Sequence, residues 1–260
     1  KEKNMGILDI TFNIDSNIKT PLWKQIRDEL LGCLSQGSLR PGQLVPNEKT
    51  LVDLFSVSIG TVRKAIDSLE KDGVLVRKQG LGTFVCEHDD SSFLFKYFHI
   101  CTKDSNEREI PEVECVSFQS RVANIAESKI LKIPEGNNKV FDIYNSLAFN
   151  GKIHSVDKIT IPIARFPLMT KELFCNRHST IYNLYQNKFN VFISKCSERV
   201  TAGTAKKNIA DMLGIDEGES ILKIRRTGYS FHNEIVELRT SYVNTKGVEY
   251  IREEYSTVGH

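Results

Sequence analysis

Apolar residues take up a helical period from Pro21 onward. Leu22, Ile26, Leu30 and Leu34 fall at i, i+4, i+8 and i+12, a single stripe that predicts a helix ending at Gly37. The turn Arg40-Pro41-Gly42 follows. Asn47, just after Pro46, is a good N-cap for a second helix buried through Leu51, Leu54 and Phe55. Ser58 is placed to cap a third helix whose inner face is Val62, Ala65, Ile66 and Leu69. Val57 and Val62 sit as a staple across its start, and Gly73 stops it. Val74 to Val85 is β-like on both sides of Gln79-Gly80-Leu81-Gly82, which predicts a hairpin. Three helices and a hairpin make a compact unit.

The pattern then changes from helical to mixed. Val140 to Phe149 and Ile153 to Ile161 flank Asn150-Gly151, a hairpin by its turn residues. Its odd positions Phe141, Ile143, Leu147, Phe149, Ile153, Ile159 and Ile161 are apolar. A three-residue loop, Asn150 to Lys152, sets odd against odd and buries one shared face. That register puts Asn145 opposite Asp157 and Leu147 opposite Ser155, so three polar residues face inward among aliphatic ones. Buried polar groups need partners, so Asn145, Ser155 and Asp157 either bond one another or line a ligand pocket. A two-residue loop would flip the register. A second strand pair, Ile221 to Tyr229 and Ile235 to Val243 around His232-Asn233, repeats the arrangement with Arg226 and Glu237, and Tyr242 is near enough to cover a ligand. Helical stretches near 179–188 and 202–213 lie between the pairs. Strands and helices interleaved in this way predict an α+β domain.

Composition narrows the classes. The 260 residues are 40% hydrophobic and 26% charged, an average globular balance with room for two domains. No apolar run approaches the roughly 18 residues of a membrane span, and the N-terminus lacks a secretory pattern, so a cytoplasmic protein is expected, with no membrane partner. Six scattered cysteines with no C-x-x-C pair read as reduced thiols. The six histidines show no ligand spacing, and no nucleophile motif or phosphate loop is found; no metal, cofactor or catalytic residue is expected. A net charge of +2 does not by itself announce nucleic acid.

Local pattern does. The outer face of the third helix presents Ile59, Gly60, Thr61, Arg63 and Lys64 near its N-terminus, the part that a recognition helix offers to base edges. Arg77, Lys78 and Gln79 precede Gly80 in the hairpin, enough charge and flexibility to reach a backbone or minor groove. The alternative is a small helical domain with a solvated basic face. Four motifs carry a resemblance to the GntR family of bacterial repressors: Pro21 to Ile26 (Pro-Leu-Trp-Lys-Gln-Ile), Leu39 to Lys49, Val57 to Ile66, and Gln79 to Val85 (Gln-Gly-Leu-Gly-Thr-Phe-Val). The resemblance implies a winged helix-turn-helix with DNA contacts at Lys49, Ser58, Thr61, Arg63, Gln79 and Gly80. Two departures bear on the operator: the family usually has Arg where this chain has Ile59, and a bulkier polar residue at Gly60. Isoleucine offers only apolar contact, such as to a thymine methyl. Lys49 in place of the usual Arg keeps the charge without the bidentate fork.

The C-terminal part resembles the UTRA effector domain of the HutC branch, through Val140 to Asp157, Ser179 to Leu184, and Glu237 to Tyr242. The implied fold is chorismate-lyase-like, an antiparallel sheet with helices packed on it. The implied division is an arm at 1–19, a winged helix-turn-helix at 20–86, a linker at 87–97 and an effector-binding, dimerising domain at 98–260. In related domains the positions of Asn145 and Leu147 often hold arginines that clamp a sugar phosphate. Neither is basic here, so a sugar phosphate is disfavoured, while Asp157 and Glu237 sit where the family places acids on hydroxyls or amines. The expected protein is a ligand-responsive repressor, a homodimer on an inverted-repeat operator. The alternative is an enzyme of chorismate-lyase-like fold fused to a DNA-binding domain.

Overall fold

The computed structural model describes residues 12, 14–87, 97–103, 109–230 and 233–252. Most of the expected linker at 87–97, most of the arm, and His232 of the second turn lie outside the described residues. The chain divides into two compact units. One is drawn from Lys1–Asp89, Ser179–Lys195 and Ser230–Glu234, the other from Asp90–His178, Cys196–Tyr229 and Ile235–His260.

The first unit opens with α1 (Leu22–Ser35), α2 (Glu48–Phe55) and α3 (Ile59–Lys71). Asn47 Oδ1 accepts the Thr50 amide at 2.9 Å and Ser58 Oγ the Thr61 amide at 3.3 Å, so both expected caps form. Ile26, Leu30, Leu51, Val62, Ala65 and Leu69 fill the space between the helices. β1 (Leu75–Lys78) and β2 (Gly82–Val85) form the wing, and Leu44 bridges to Phe84 beside it. Gly82 has φ +115°, and an added Cβ would come within 2.8 Å of Leu44 Cδ1, so glycine is required there. The described end of the arm is tied down: Gln25 Nε2 donates to the carbonyls of Asp15 and Thr20, both at 2.8 Å, and Gln25 Oε1 accepts the Asp15 amide.

The same unit includes a helix of the later chain, so contacts depart from the expected division at 98. The helix Ile181–Phe189 buries Ile181, Tyr182 and Tyr185, and its Gln186 donates to the Cys86 carbonyl at 3.0 Å. A buried amide side chain needs such a partner, and it finds one at the end of the wing.

The second unit is built on a six-stranded antiparallel sheet. Its strands are β4 (Glu112–Val122), β5 (Lys139–Phe149), β6 (Lys152–Pro162), β7 (Lys195–Thr204), β8 (Ser220–Tyr229) and β9 (Ile235–Val243), in the order β4-β5-β6-β9-β8-β7. A short pair, β3 (Ile100–Thr102) with β10 (Val248–Tyr250), forms a separate two-stranded sheet whose Ile100 and Val248 pack with Phe149, Ile224 and Val243 of the large one. Counted in chain order, the helices after α3 are α4 (Ile125–Leu131), α5 (Lys171–Cys175), α6 (Ile181–Phe189, in the first unit) and α7 (Lys207–Leu213). The expected helix at 202–213 is therefore shorter, because Ala202 to Thr204 extends β7.

The register of the first hairpin comes out as expected by a different route. Asn145 pairs with Asp157 and Leu147 with Ser155, yet Phe149 pairs with Lys152 around a two-residue turn, and a bulge at His154 absorbs the difference. The alternation also hides a second buried surface. Val140, Asp142, Ser146, Val156 and Thr160 are buried as well, because α4 and α7 cover the face that even positions present. Cys115 and Cys175 are joined by a disulfide with Cα atoms 5.2 Å apart, which corrects the expectation of reduced thiols throughout.

His154 is buried at the bulge, and burial holds its imidazole below the ordinary value of 6.5. The unfolded chain therefore takes up this proton at a higher pH than the fold does, so stability is lost as pH falls through 6.5. Denaturant midpoints at about pH 7.5 and 5.5 are expected to differ for the wild type and to differ less for His154→Gln.

Candidate functional site

Two surfaces gather the chemistry. On the first unit, the N-terminal half of α3 is open: Ile59 is 46% exposed, and Gly60, Arg63 and Lys64 stand beside it with Lys49 of α2. Ser58 Oγ also bonds Thr61 Oγ1 at 2.9 Å, so this pair shapes the start of the helix before it meets any ligand. Arg63 Nε is held by Glu48 Oε2 at 2.7 Å. Lys64 and Lys78 lie over the rings of Trp23 and Phe84, at 5.1 and 5.0 Å.

The wing differs from expectation in one charge. Arg77 turns back onto α3, with Nη2 2.5 Å from Asp67 and Nη1 2.5 Å from Glu70, and the Asp67 hydrogen bond raises its pKa further. Lys78 and Gln79 are left to serve the tip, next to Gly80. Leu81, 68% exposed, completes it. Sequence reasoning treated Leu81 only as part of the turn; a leucine among turn residues was the available signal.

On the second unit, register brings the polar residues to one sheet face. Asn145, Asp157, Ser241 and Ile224 form one row across four strands, and Ile143, Ile159, Arg239 and Arg226 the next. Glu237, two residues before Arg239, shares that face. Arg239 forks onto Glu237 with two bonds of 3.0 Å and reaches Asp157 Oδ2 at 3.2 Å. Ser155 Oγ lies 3.5 Å from Asp157 Oδ1. Glu237 is 0% exposed and Asn145 1%, and neither amide atom of Asn145 has a hydrogen-bond partner.

Arg226 lies on the expected face but is bound to another partner, and Tyr242 lies on the opposite face. Arg226 bonds Glu198 Oε1 at 2.7 Å and donates to the Tyr97 carbonyl. Burial pushes the Glu198 carboxyl up, but Arg226, the Tyr250 hydroxyl and His99 outweigh it and hold it below the usual range. The Tyr250 phenol, desolvated and bonded to Glu198, is pushed up to about 12. The cation of the acidic cluster is thus Arg239, which sequence reasoning missed although period two puts it on the face of Glu237. Tyr242 pairs with Val156 and Lys223 in a row that faces the opposite side. Its odd spacing from Glu237 forbids the role of cover.

Comparison with known proteins gives two family matches. Residues 107–248 match the UTRA domain family, and residues 22–85 match the family described as bacterial regulatory proteins, gntR family. The chain is 30% identical over 213 residues to the probable fructoselysine utilization operon transcriptional repressor of Shigella flexneri, covering 80% of this chain and 84% of that protein. It is 26% identical to the histidine utilization repressor of Pseudomonas aeruginosa, with 82% and 83% covered. Among solved structures, the ligand-binding domain of a GntR-family regulator from Bordetella bronchiseptica superposes with a TM-score of 0.58 at 22% identity, covering 61% of this chain and 97% of that one.

Proposed function

Because the chain belongs to the GntR family of bacterial transcriptional regulators and carries its UTRA domain, we propose that it is a repressor released or engaged by a small polar metabolite. It binds an inverted-repeat operator as a homodimer. The family is one of regulators, so the enzyme alternative falls.

One observation carries the effector site: the buried, unpartnered amide of Asn145 stands in the same row as Asp157, next to the Arg239 and Glu237 pair. Among the described residues, two carboxylates and one guanidinium leave one net negative charge, which suits an amine or hydroxyl-bearing ligand, and Arg239 offers a partner for one carboxylate. Leu147 and Asn145 supply no cation, which disfavours a sugar phosphate. Relatives named for fructoselysine and histidine utilization fit that chemistry, since both compounds carry an amine and a carboxylate. A thermal-shift screen of amino acids, amino sugars and sugar phosphates tests it. The true effector is expected to stabilise the wild type and to lose that effect in Asp157→Asn and Asn145→Leu. Stabilisation by a sugar phosphate, or equal stabilisation of both variants, would sink the assignment.

Reading of DNA is assigned to Lys49, Ser58, Ile59, Gly60, Thr61, Arg63 and Lys64 in the major groove and to Lys78, Gln79 and Gly80 on the wing. Dimerisation is assigned to the second unit, whose edge strand β4 leaves Val113, Val116 and Val122 exposed. Light scattering checks it, and a monomer at micromolar concentration would refute it. The Glu48 pair makes a sharper expectation for DNA. Arg63→Ala should weaken every sequence and flatten the salt slope by about one unit. Glu48→Gln should tighten binding a few-fold, since an exposed pair of this kind is worth only about 0.2–1 kcal/mol and Arg63 must exchange it for a phosphate. Filter binding across a salt series separates the two outcomes.

A further inference from the structure

The opposite face of the sheet carries a second cavity of different chemistry. Tyr144, Lys158, Thr240 and Arg225 form one row there, and Ser146, Val156, Tyr242 and Lys223 the next. Period two turns all of them away from Asn145 and Asp157. α7 packs Ile209, Ala210 and Leu213 against Val156 and Ile221 on this face. Beside that contact lies a cavity of about 620 Å³, lined by Tyr144, Lys158, Lys206, Lys223, Arg225 and Tyr242 among others. That volume is within the range of about 300–1,000 Å³ usual for small-molecule sites.

Its charge is one-sided. Among the described residues, four cations line the cavity and no carboxylate does. Lys158 lies 3.6 Å from Asp142, which Arg121 already holds at 3.0 Å. Lys206, Lys223 and Arg225 make no ion pair among the described residues. Two of the cations are set against aromatic rings: Lys158 Nζ is 5.7 Å from the Tyr144 centroid and Lys223 Nζ 5.6 Å from that of Tyr242. Like charges gathered on neighbouring strands oppose folding unless an anion offsets them. The tyrosine rings offer a flat apolar floor between those charges.

We infer that this cavity is a second ligand site, for a small organic dianion such as a phosphate ester. Its anionic group sits among Lys206, Lys223 and Arg225, and its carbon skeleton lies on the rings of Tyr144 and Tyr242. The two faces of one sheet thus divide two chemistries, a net acidic cluster on one side and, on the other, a basic cavity in which only Lys158 has a carboxylate partner among the described residues. The site stands independently of the effector assignment on the Asn145 face.

Titration calorimetry of the full chain at low salt tests it, with phenyl phosphate, inorganic phosphate and benzyl alcohol as probes. Phenyl phosphate should bind saturably, inorganic phosphate more weakly because it leaves the rings uncovered, and the uncharged alcohol not at all. Lys223→Gln with Arg225→Gln should weaken phenyl phosphate by about tenfold or more, the loss of one or two charged hydrogen bonds. Tyr242→Leu should remove the advantage of phenyl phosphate over inorganic phosphate. Asp157→Asn should leave binding unchanged, which separates this site from the opposite face. No saturable binding of either anion, binding that the double variant retains, or binding that Asp157→Asn abolishes would each overturn the inference.

Discussion

Arg239→Ala is expected to cost the sheet unit about 3–5 kcal/mol, because it removes the guanidinium that two buried carboxylates share. Glu237 is fully buried and Asp157 nearly so, and Arg239 reaches both. Lysine at this position keeps the charge but cannot fork onto Glu237, so Arg239→Lys should recover only part of the loss. A third variant separates folding from sensing. Replacing Asp157, Glu237 and Arg239 together by leucine and methionine removes every charge of the cluster, and such replacements are often neutral for stability. That protein should fold near wild-type stability and yet give no thermal response to the effector. Urea melts followed by far-UV circular dichroism measure all three. An Arg239→Ala protein as stable as the wild type would mean that water, not the guanidinium, satisfies the two acids.

Reduction of the bridge between Cys115 and Cys175 should cost about 4 kcal/mol. The bond closes a loop of 60 residues, and the chain-entropy estimate for such a loop has that size. It ties β4, an edge strand with one sheet neighbour, to α5, whose Phe174 packs on Phe118 of the same strand with ring centroids 5.5 Å apart. Fraying of β4 should therefore come first when the bond is cut. Thermal melts with and without reductant, set beside a Cys115→Ser and Cys175→Ser double variant, measure the effect. The variant should melt like the reduced wild type and be indifferent to reductant. Coincident melts of the oxidised and reduced wild type would assign the bridge no part in stability. If β4 is the dimer edge, the reduced protein should also dissociate at higher concentration than the oxidised one.

The winged unit was legible residue by residue because each of its signals is local. A cap needs only the side chain and an amide three residues on, and Asn47 and Ser58 meet theirs. Helix faces follow from a period of 3.6, so Val62, Ala65, Ile66 and Leu69 were readable as core without knowing what they would touch. The strands of the second unit were half legible. Alternation marked β5, β6, β8 and β9, and it placed Asn145, Ser155, Asp157, Arg226 and Glu237 on one face. It gave no sign of β4 as a partner of β5, nor that helices would bury the even positions, because those depend on which distant segments meet.

Ion pairs were decided in the same way. Sequence by itself counts charges; it cannot say that Arg77 turns back to Asp67 and Glu70, that Arg226 is taken by Glu198, or that Arg239 is the cation shared by Asp157 and Glu237. All but the Glu237 pair, two residues away on the same strand, join groups from separate segments or opposite ends of a turn, and a buried charge settles on whichever partner the packing brings within about 3 Å. The bridge of Cys115 to Cys175 belongs to this class, since two thiols 60 positions apart meet only when β4 and α5 do. Family, fold class and the helices of the winged unit were thus set by residue type and spacing along the chain. Which charges stand together on each face of the sheet was set by tertiary packing, which alone decides which buried polar groups find partners.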